Sequence, residues 1–263
     1  MKTHTNILLL LFTFLLLSYE GLYGESLYGE GQKISREYWD NGKLKKETHF
    51  KNGKEEGRVT VWYKNGKMQA KGYYKGGLLN GLLSTWYQNG KKMSLTPYLD
   101  GKENGSSIHW YASGEKRQDI NYIDGQLNGN QTWWYKTGNK AEEKHYIKGI
   151  ESGKYTKWFE NGKKDTETYY KNGIENGIHT EWRWDNGKKH MEAYFKDGDL
   201  DGLYTDWHSN GLKANAGRYK NGKEEGLWFE WSEDGKTKSK KFFKAGKLMS
   251  TKNVADGFNK ITN

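Results

Sequence analysis

The chain has 263 residues, with 43 Lys and Arg against 33 Asp and Glu for a net charge of +10, and it contains no Cys. This excludes a disulfide-stapled scaffold, thiolate chemistry and a lipid-modified cysteine. Hydrophobic residues are only 33% and aromatics 15%, so rings are nearly half of the apolar content and a Leu, Ile and Val-filled globule is excluded too.

In chain order, Lys2 and His4 precede an apolar run from Ile7 to Leu17. Such a run is too short to span a bilayer as a helix but fits the hydrophobic region of a secretory signal. Residues 1–24 are therefore expected to be a signal peptide, followed by a lead-in over 25–37. The mature chain is expected to be exported, to the periplasm, the cell surface or the medium, with no transmembrane span.

From Tyr38 onward one pattern repeats. Trp62-Tyr63-Lys64-Asn65-Gly66-Lys67 returns as Trp86-Tyr87-Gln88-Asn89-Gly90-Lys91 and as Trp158-Phe159-Glu160-Asn161-Gly162-Lys163. Its turn glycines, Gly42, Gly66, Gly90, Gly114, Gly138, Gly162, Gly187, Gly211 and Gly235, step by 24 residues, except for 25 at Gly187. Two further glycine rows, begun by Gly53 and Gly57, keep the same period, and an aromatic row runs from Phe50 and Tyr74 to Phe243. A fixed period in this range marks a repeat array whose units bury their apolar faces against one another. Asn-Gly between short aromatic or β-branched runs is a hairpin signal. The predicted fold is all-β: an elongated single antiparallel sheet of tandem ~24-residue β-hairpin repeats, about nine units over residues 38–246 with a tail at 247–263.

The turn decides which residues share a face. A two-residue loop would put Tyr74 opposite Trp62, whereas a three-residue loop with a glycine bulge shifts the register by one and gathers Trp62, Ala70, Gly72 and Tyr74. The second arrangement is expected. It makes Trp62, Trp86, Trp110, Trp134, Trp158, Trp182, Trp207 and Trp231 a structural row, one per hairpin. The off-row aromatics Trp133, Tyr155, Tyr204 and Trp228 vary between repeats and are the better contact candidates. The extra residue at Trp182-Arg183-Trp184 is expected to be taken up as a local bulge.

Charge is positioned as well. Lys91, Lys92, Lys163, Lys164, Lys188 and Lys189 follow the Asn-Gly turns, while Glu55-Glu56 and Glu224-Glu225 mark the other turn. A basic margin of this kind is a candidate contact for a cell-envelope polyanion such as a surface glycan. The same charges also serve to keep sheet margins soluble. No catalytic residue, metal site or cofactor is expected: the seven His are scattered, and no nucleophile or phosphate-loop motif occurs. Glu181, Asp206 and Glu230 share one repeat position and read as a solvated charge row. Nucleic acid is not an expected partner.

The combination of Lys51-Asn52-Gly53-Lys54-Glu55-Glu56-Gly57 with Trp62-Tyr63-Lys64-Asn65-Gly66 resembles the MORN repeat in its bacterial variant form, which includes YwqK-like antitoxins. The resemblance implies a non-enzymatic sheet of hairpins that serves as a binding or scaffolding surface for protein partners. It also implies an alternative role as an antitoxin-like inhibitor of a partner toxin.

Overall fold

The structure, a computed structural model, describes residues 31–253, so the expected signal at 1–24 lies outside the described residues. They form 23 strands and no helix, from Gln32–Tyr38 to Lys247–Asn253. Strand structure thus starts ahead of the first repeat and continues into the expected tail. Two compact units divide at Gln126 and Leu127. Within each unit the long strands pair antiparallel with their long neighbours in sequence, while two-residue strands such as Leu78–Leu79 pair only with the strand before them.

The hairpin of strands Lys54–Trp62 and Met68–Lys75 shows how the sequence builds one repeat. Tyr63 N–H bonds to Lys67 O at 2.9 Å and Gly66 N–H to Tyr63 O at 2.8 Å, leaving a three-residue loop, Lys64-Asn65-Gly66. Gly66 sits at φ 88°, which only a residue lacking Cβ adopts without cost. The expected loop length is therefore correct, but the face assignment is not. Val61 faces Ala70 and Trp62 faces Met68, so Gln69 is an extra residue and a second register shift follows immediately before the loop. The two shifts cancel. Trp62 lies with Thr60, Arg58, Lys71 and Tyr73, and Tyr74 lies on the other face with Val59, Val61, Ala70 and Gly72. The same shift recurs before Trp86, Trp158, Trp182, Trp207 and Trp231.

The opposite ends of the hairpins close differently. Lys51 pairs with Lys54 across a two-residue loop in which Asn52 and Gly53 both have positive φ, 51° and 77°, as a type I′ turn requires. Gly77 N–H then bonds to Glu55 O at 2.8 Å, and the same bond recurs from Gly101 to Leu79 and from Gly173 to Glu151. Side chains reinforce this margin: Glu56 Oε2 accepts from Gly76 N at 2.6 Å, and Glu225 Oε2 from Ala245 N at 2.7 Å. The second glycine of the Gly-x-x-x-Gly lies beneath the side chain that precedes the Tyr row at Gly57, Gly81, Gly105, Gly153, Gly177 and Gly202, but not at Gly226. A Cβ on Gly202 would stand 2.7 Å from Tyr194 Cβ, and one on Gly105 2.9 Å from Pro97 Cγ.

A hairpin array has no second layer, so its core is thin and lies on the sheet surfaces. Buried apolar side chains among the described residues are Ile34, Val59, Ile120, Ala193 and Trp228, accompanied by threonines such as Thr96, Thr156, Thr168 and Thr180. β-branched Thr suits a pleated surface, and where buried its hydroxyl can be paired, as between Thr96 and Ser107 at 2.7 Å. Trp228, expected to be a surface contact, is 8% exposed and belongs to this core. It lies flat on Gly217, where a Cβ would come within 2.1 Å of its ring, and it packs edge-on against Tyr219 at 5.1 Å between ring centroids. The extra residue near Trp184 enters the loop rather than the strand. Arg183 N–H bonds to Lys188 O, and Gly187 N–H to Arg183 O, both at 2.9 Å, so this loop has four residues and leaves Trp184 68% exposed.

Candidate functional site

The lysine margin is a hydrogen-bonded spine. A three-residue loop reaches the next one through up to three side chains. Tyr63 Oη donates to Trp86 O at 2.7 Å, Asn65 Nδ2 to Gln88 O at 3.4 Å and Lys67 Nζ to Asn89 O at 3.1 Å. One repeat on, Tyr87 Oη reaches Trp110 O at 2.7 Å and Asn89 Nδ2 reaches Ala112 O at 2.8 Å. Adjacent loops on one margin are two strands apart, about 9–10 Å, a gap that only a long side chain can bridge. Where the repeat varies, chemistry is kept: Arg183 Nη2 donates to Trp207 O at 2.8 Å, and His208 Nε2 lies 3.0 Å from Trp231 O.

The six candidate polyanion lysines divide by position. Lys91, Lys163 and Lys188 donate to the carbonyls of Ser113, Asp185 and Asn210, the last two at 2.8 and 2.5 Å. Lys92, Lys164 and Lys189 lie over Trp110, Trp182 and Trp207 of the following hairpin, 5.7, 5.2 and 5.6 Å from the ring centroids. Lys164 also pairs with Glu167 at 2.6 Å, and Lys189 with Glu192. The Trp row is half-buried throughout and forms part of a lysine-on-indole lattice. Sequence reading found these residues but not their contacts, because each contact crosses from one hairpin to the next.

The two faces differ in chemistry within the unit that begins at Leu127. On the Trp face, Ile178 pairs with Tyr194, Leu203 with Arg218 and Leu227 with Phe242, with Tyr169 one hairpin earlier. These six apolar side chains are 39% to 66% exposed, Leu203 the most. A depression of about 360 Å³ opens among Ile178, Tyr194, Gly202, Leu203 and Arg218, with Glu192 and Asp201 at its rim. Sequence reading missed this stripe, whose signal is an apolar residue directly after the bulge glycine in three repeats: Ile178, Leu203 and Leu227.

The Tyr face of the same unit is aromatic and acidic. Glu151 faces Tyr146, Glu175 faces Tyr170 and Glu224 faces Tyr219. Burial, reinforced by these carboxylates, raises Tyr146, Tyr170 and Tyr219 above the usual phenol range. Burial also pushes Tyr204 up to about 12, with help from Asp206, Tyr219 and Glu181. Tyr155 is raised by burial and by donating to Glu142 Oε1 at 2.7 Å. Of the expected charge row, Glu181 lies 3.4 Å from His179 Nε2, Asp206 accepts from Asn215 N at 2.6 Å, and Glu230 accepts from Ser239 Oγ at 2.8 Å. Among the described residues no group of His, Asp and Glu is arranged to hold a metal ion, and no helix is long and apolar enough to cross a membrane.

The family model described as "MORN repeat variant" matches residues 32–52, 55–75, 79–100, 127–148, 151–172 and 224–245. No curated protein matches the sequence. Among solved structures, the one titled "Crystal Structure of TcdB2-TccC3" is similar over 82% of this chain, at 11% identity and a TM-score of 0.17, a likeness too low to bear on fold or function. The chain spans only 14% of that structure's length. Six matches spread from the first strand to the last hairpin agree with the hairpin register, and the chain is a MORN-repeat protein.

Proposed function

We propose that this protein is an exported, non-enzymatic scaffold that binds a protein partner through the Trp face of its second unit. MORN repeats are in general binding modules for proteins or membranes. The observation that carries the reading is the stripe of Tyr169, Ile178, Tyr194, Leu203, Leu227 and Phe242, half-exposed on consecutive hairpins. Contiguous exposed apolar surface rimmed by polar groups is the signature of an interaction site. Arg218 in its midst favours a partner whose apolar surface carries a carboxylate. Export rests on the apolar run Ile7 to Leu17 behind Lys2.

The polyanion reading of Lys91, Lys92, Lys163, Lys164, Lys188 and Lys189 has weaker support, since each of these ammonium groups already has a partner. An antitoxin-like role is one form of the protein-binding reading and would use the same stripe. The test is capture from the source organism's envelope fraction by the mature chain and by its Leu203→Ser/Leu227→Ser variant. A protein retained by the first and lost by the second is the expected result, and equal capture by both would overturn the assignment.

A further inference from the structure

The exposed stripe on the Trp face of the second unit has a fixed pitch and a fixed length. Ile178, Leu203 and Leu227 hold one repeat position on successive hairpins, and Tyr194, Arg218 and Phe242 face them across the strand pairs. From Tyr169 to Phe242 the stripe crosses six strand-to-strand steps, a length of about 29 Å. It stops at polar ground on both sides. In the preceding hairpin the Ile178 position holds Lys154, paired with Glu167 at 2.9 Å, and beyond Phe242 stands Ser250.

Two opposite charges stand in this stripe without partners. Among the described residues neither the Arg218 guanidinium nor the Asp201 carboxylate makes an ion pair or a side-chain hydrogen bond, although both line the depression beside Leu203. The neighbouring acids of the same face are taken: Glu167 by Lys154 and Lys164, and Glu192 by Lys189. A partner that covers the stripe must therefore bring a carboxylate to Arg218 and a cation to Asp201, or bury each of them unpaired at a cost.

The pitch selects the partner's secondary structure. Ile178, Leu203 and Leu227 recur every two strands, about 9–10 Å. Along an extended strand, side chains on one side recur at about 6.7 Å and then about 13 Å, out of step with that pitch. An α-helix presents the same side again after seven residues, about 10.5 Å along its axis, with the residues at i+3 and i+4 between. Resting on the assignment of this stripe as the partner site, we propose that the bound element is an amphipathic α-helix laid across the strands. Its apolar seam sits on Ile178, Leu203 and Leu227, an acidic side chain beside the seam meets Arg218, and a basic one meets Asp201. The length of the stripe sets that helix at about 19 residues.

The probe is a labelled peptide of about 20 residues with leucines in a heptad pattern, glutamates along one side of the seam and lysines along the other. Its control has the same composition with leucines at every second position, and each is titrated against the full chain. The heptad peptide is expected to bind and to gain helical circular dichroism on binding, and the control to bind at least about tenfold more weakly. Arg218→Glu should weaken the heptad peptide by at least about tenfold. A heptad peptide with its glutamates changed to lysines should recover binding to that variant, which a folding defect would not allow. No binding by the heptad peptide, equal binding of the control, or parent-like binding by Arg218→Glu would each overturn the proposal. Envelope capture that still requires Leu203 and Leu227 while the heptad peptide fails would remove the helix and leave the partner site standing. Capture independent of those leucines would remove both.

Discussion

Tyr87 donates its hydroxyl to the carbonyl of Trp110, 23 residues on, at 2.7 Å, and Tyr63 does the same to Trp86 at the same distance. The second aromatic of each Trp-Tyr pair is thus a tie between hairpins. It needs no cover from a second layer because its ring lies along the margin and its one polar atom is satisfied. Replacing Tyr87 with Phe removes the tie and keeps the ring, and should cost about 1 kcal/mol, the usual net value of one hydrogen bond. Lys91→Gln, at an exposed contact of the same loop, should cost less than about 1 kcal/mol. Denaturant midpoints of the two variants check the order.

The buried face is tested at Trp228 and Gly217. Trp228→Ala should cost about 3–5 kcal/mol as a core aromatic truncation. Gly217→Ala should also destabilise, by about 1–3 kcal/mol, because its methyl would overlap the Trp228 indole. Trp184→Ala, at a loop tip, should change stability by less than about 0.5 kcal/mol. Equal thermal midpoints for Trp228→Ala and Trp184→Ala would contradict the face assignment.

Alkaline pH provides a second readout of the same core. Burial raises Tyr204 to about 12 from the ordinary tyrosine value of 10.0, so the folded chain holds a proton that the unfolded chain releases first. The stabilisation is fully present below pH 10.0, where the unfolded tyrosine titrates, and is lost as pH rises towards about 12. Unfolding free energy should therefore fall across that window. Tyr204→Phe should flatten the fall, and absorbance at the tyrosinate band should show a late-ionising fraction that joins the rest in denaturant.

The turns were legible because their chemistry is local. Asn65-Gly66 requires positive φ at one glycine, and Gly53 and Gly57 mark the opposite end of the hairpin just as directly. The faces were not legible. The extra residue at Gln69 is a register shift with no sequence mark of its own, and one shift exchanges every side chain between faces. The margins misled for a different reason. Lys91 and Asn89 look like solvated loop residues until the next loop is placed about 10 Å away, where their side chains end on its carbonyls. Trp228 looked variable and therefore functional, but the residue that accommodates it, Gly217, is a glycine at a repeat position where only Gly72 is another.

If the margins hold the array together and the Trp face of the second unit makes the contact, stability and binding should separate cleanly. The decisive measurement is retention of the envelope partner at about 0.5 M salt, where screening falls to a few ångströms, by three chains: the parent, the chain with all six candidate lysines changed to Gln, and Leu203→Ser/Leu227→Ser. The account predicts that the glutamine chain melts earlier yet retains the partner, and that the serine chain melts like the parent yet loses it. Loss of the partner by the glutamine chain together with retention by the serine chain would contradict it.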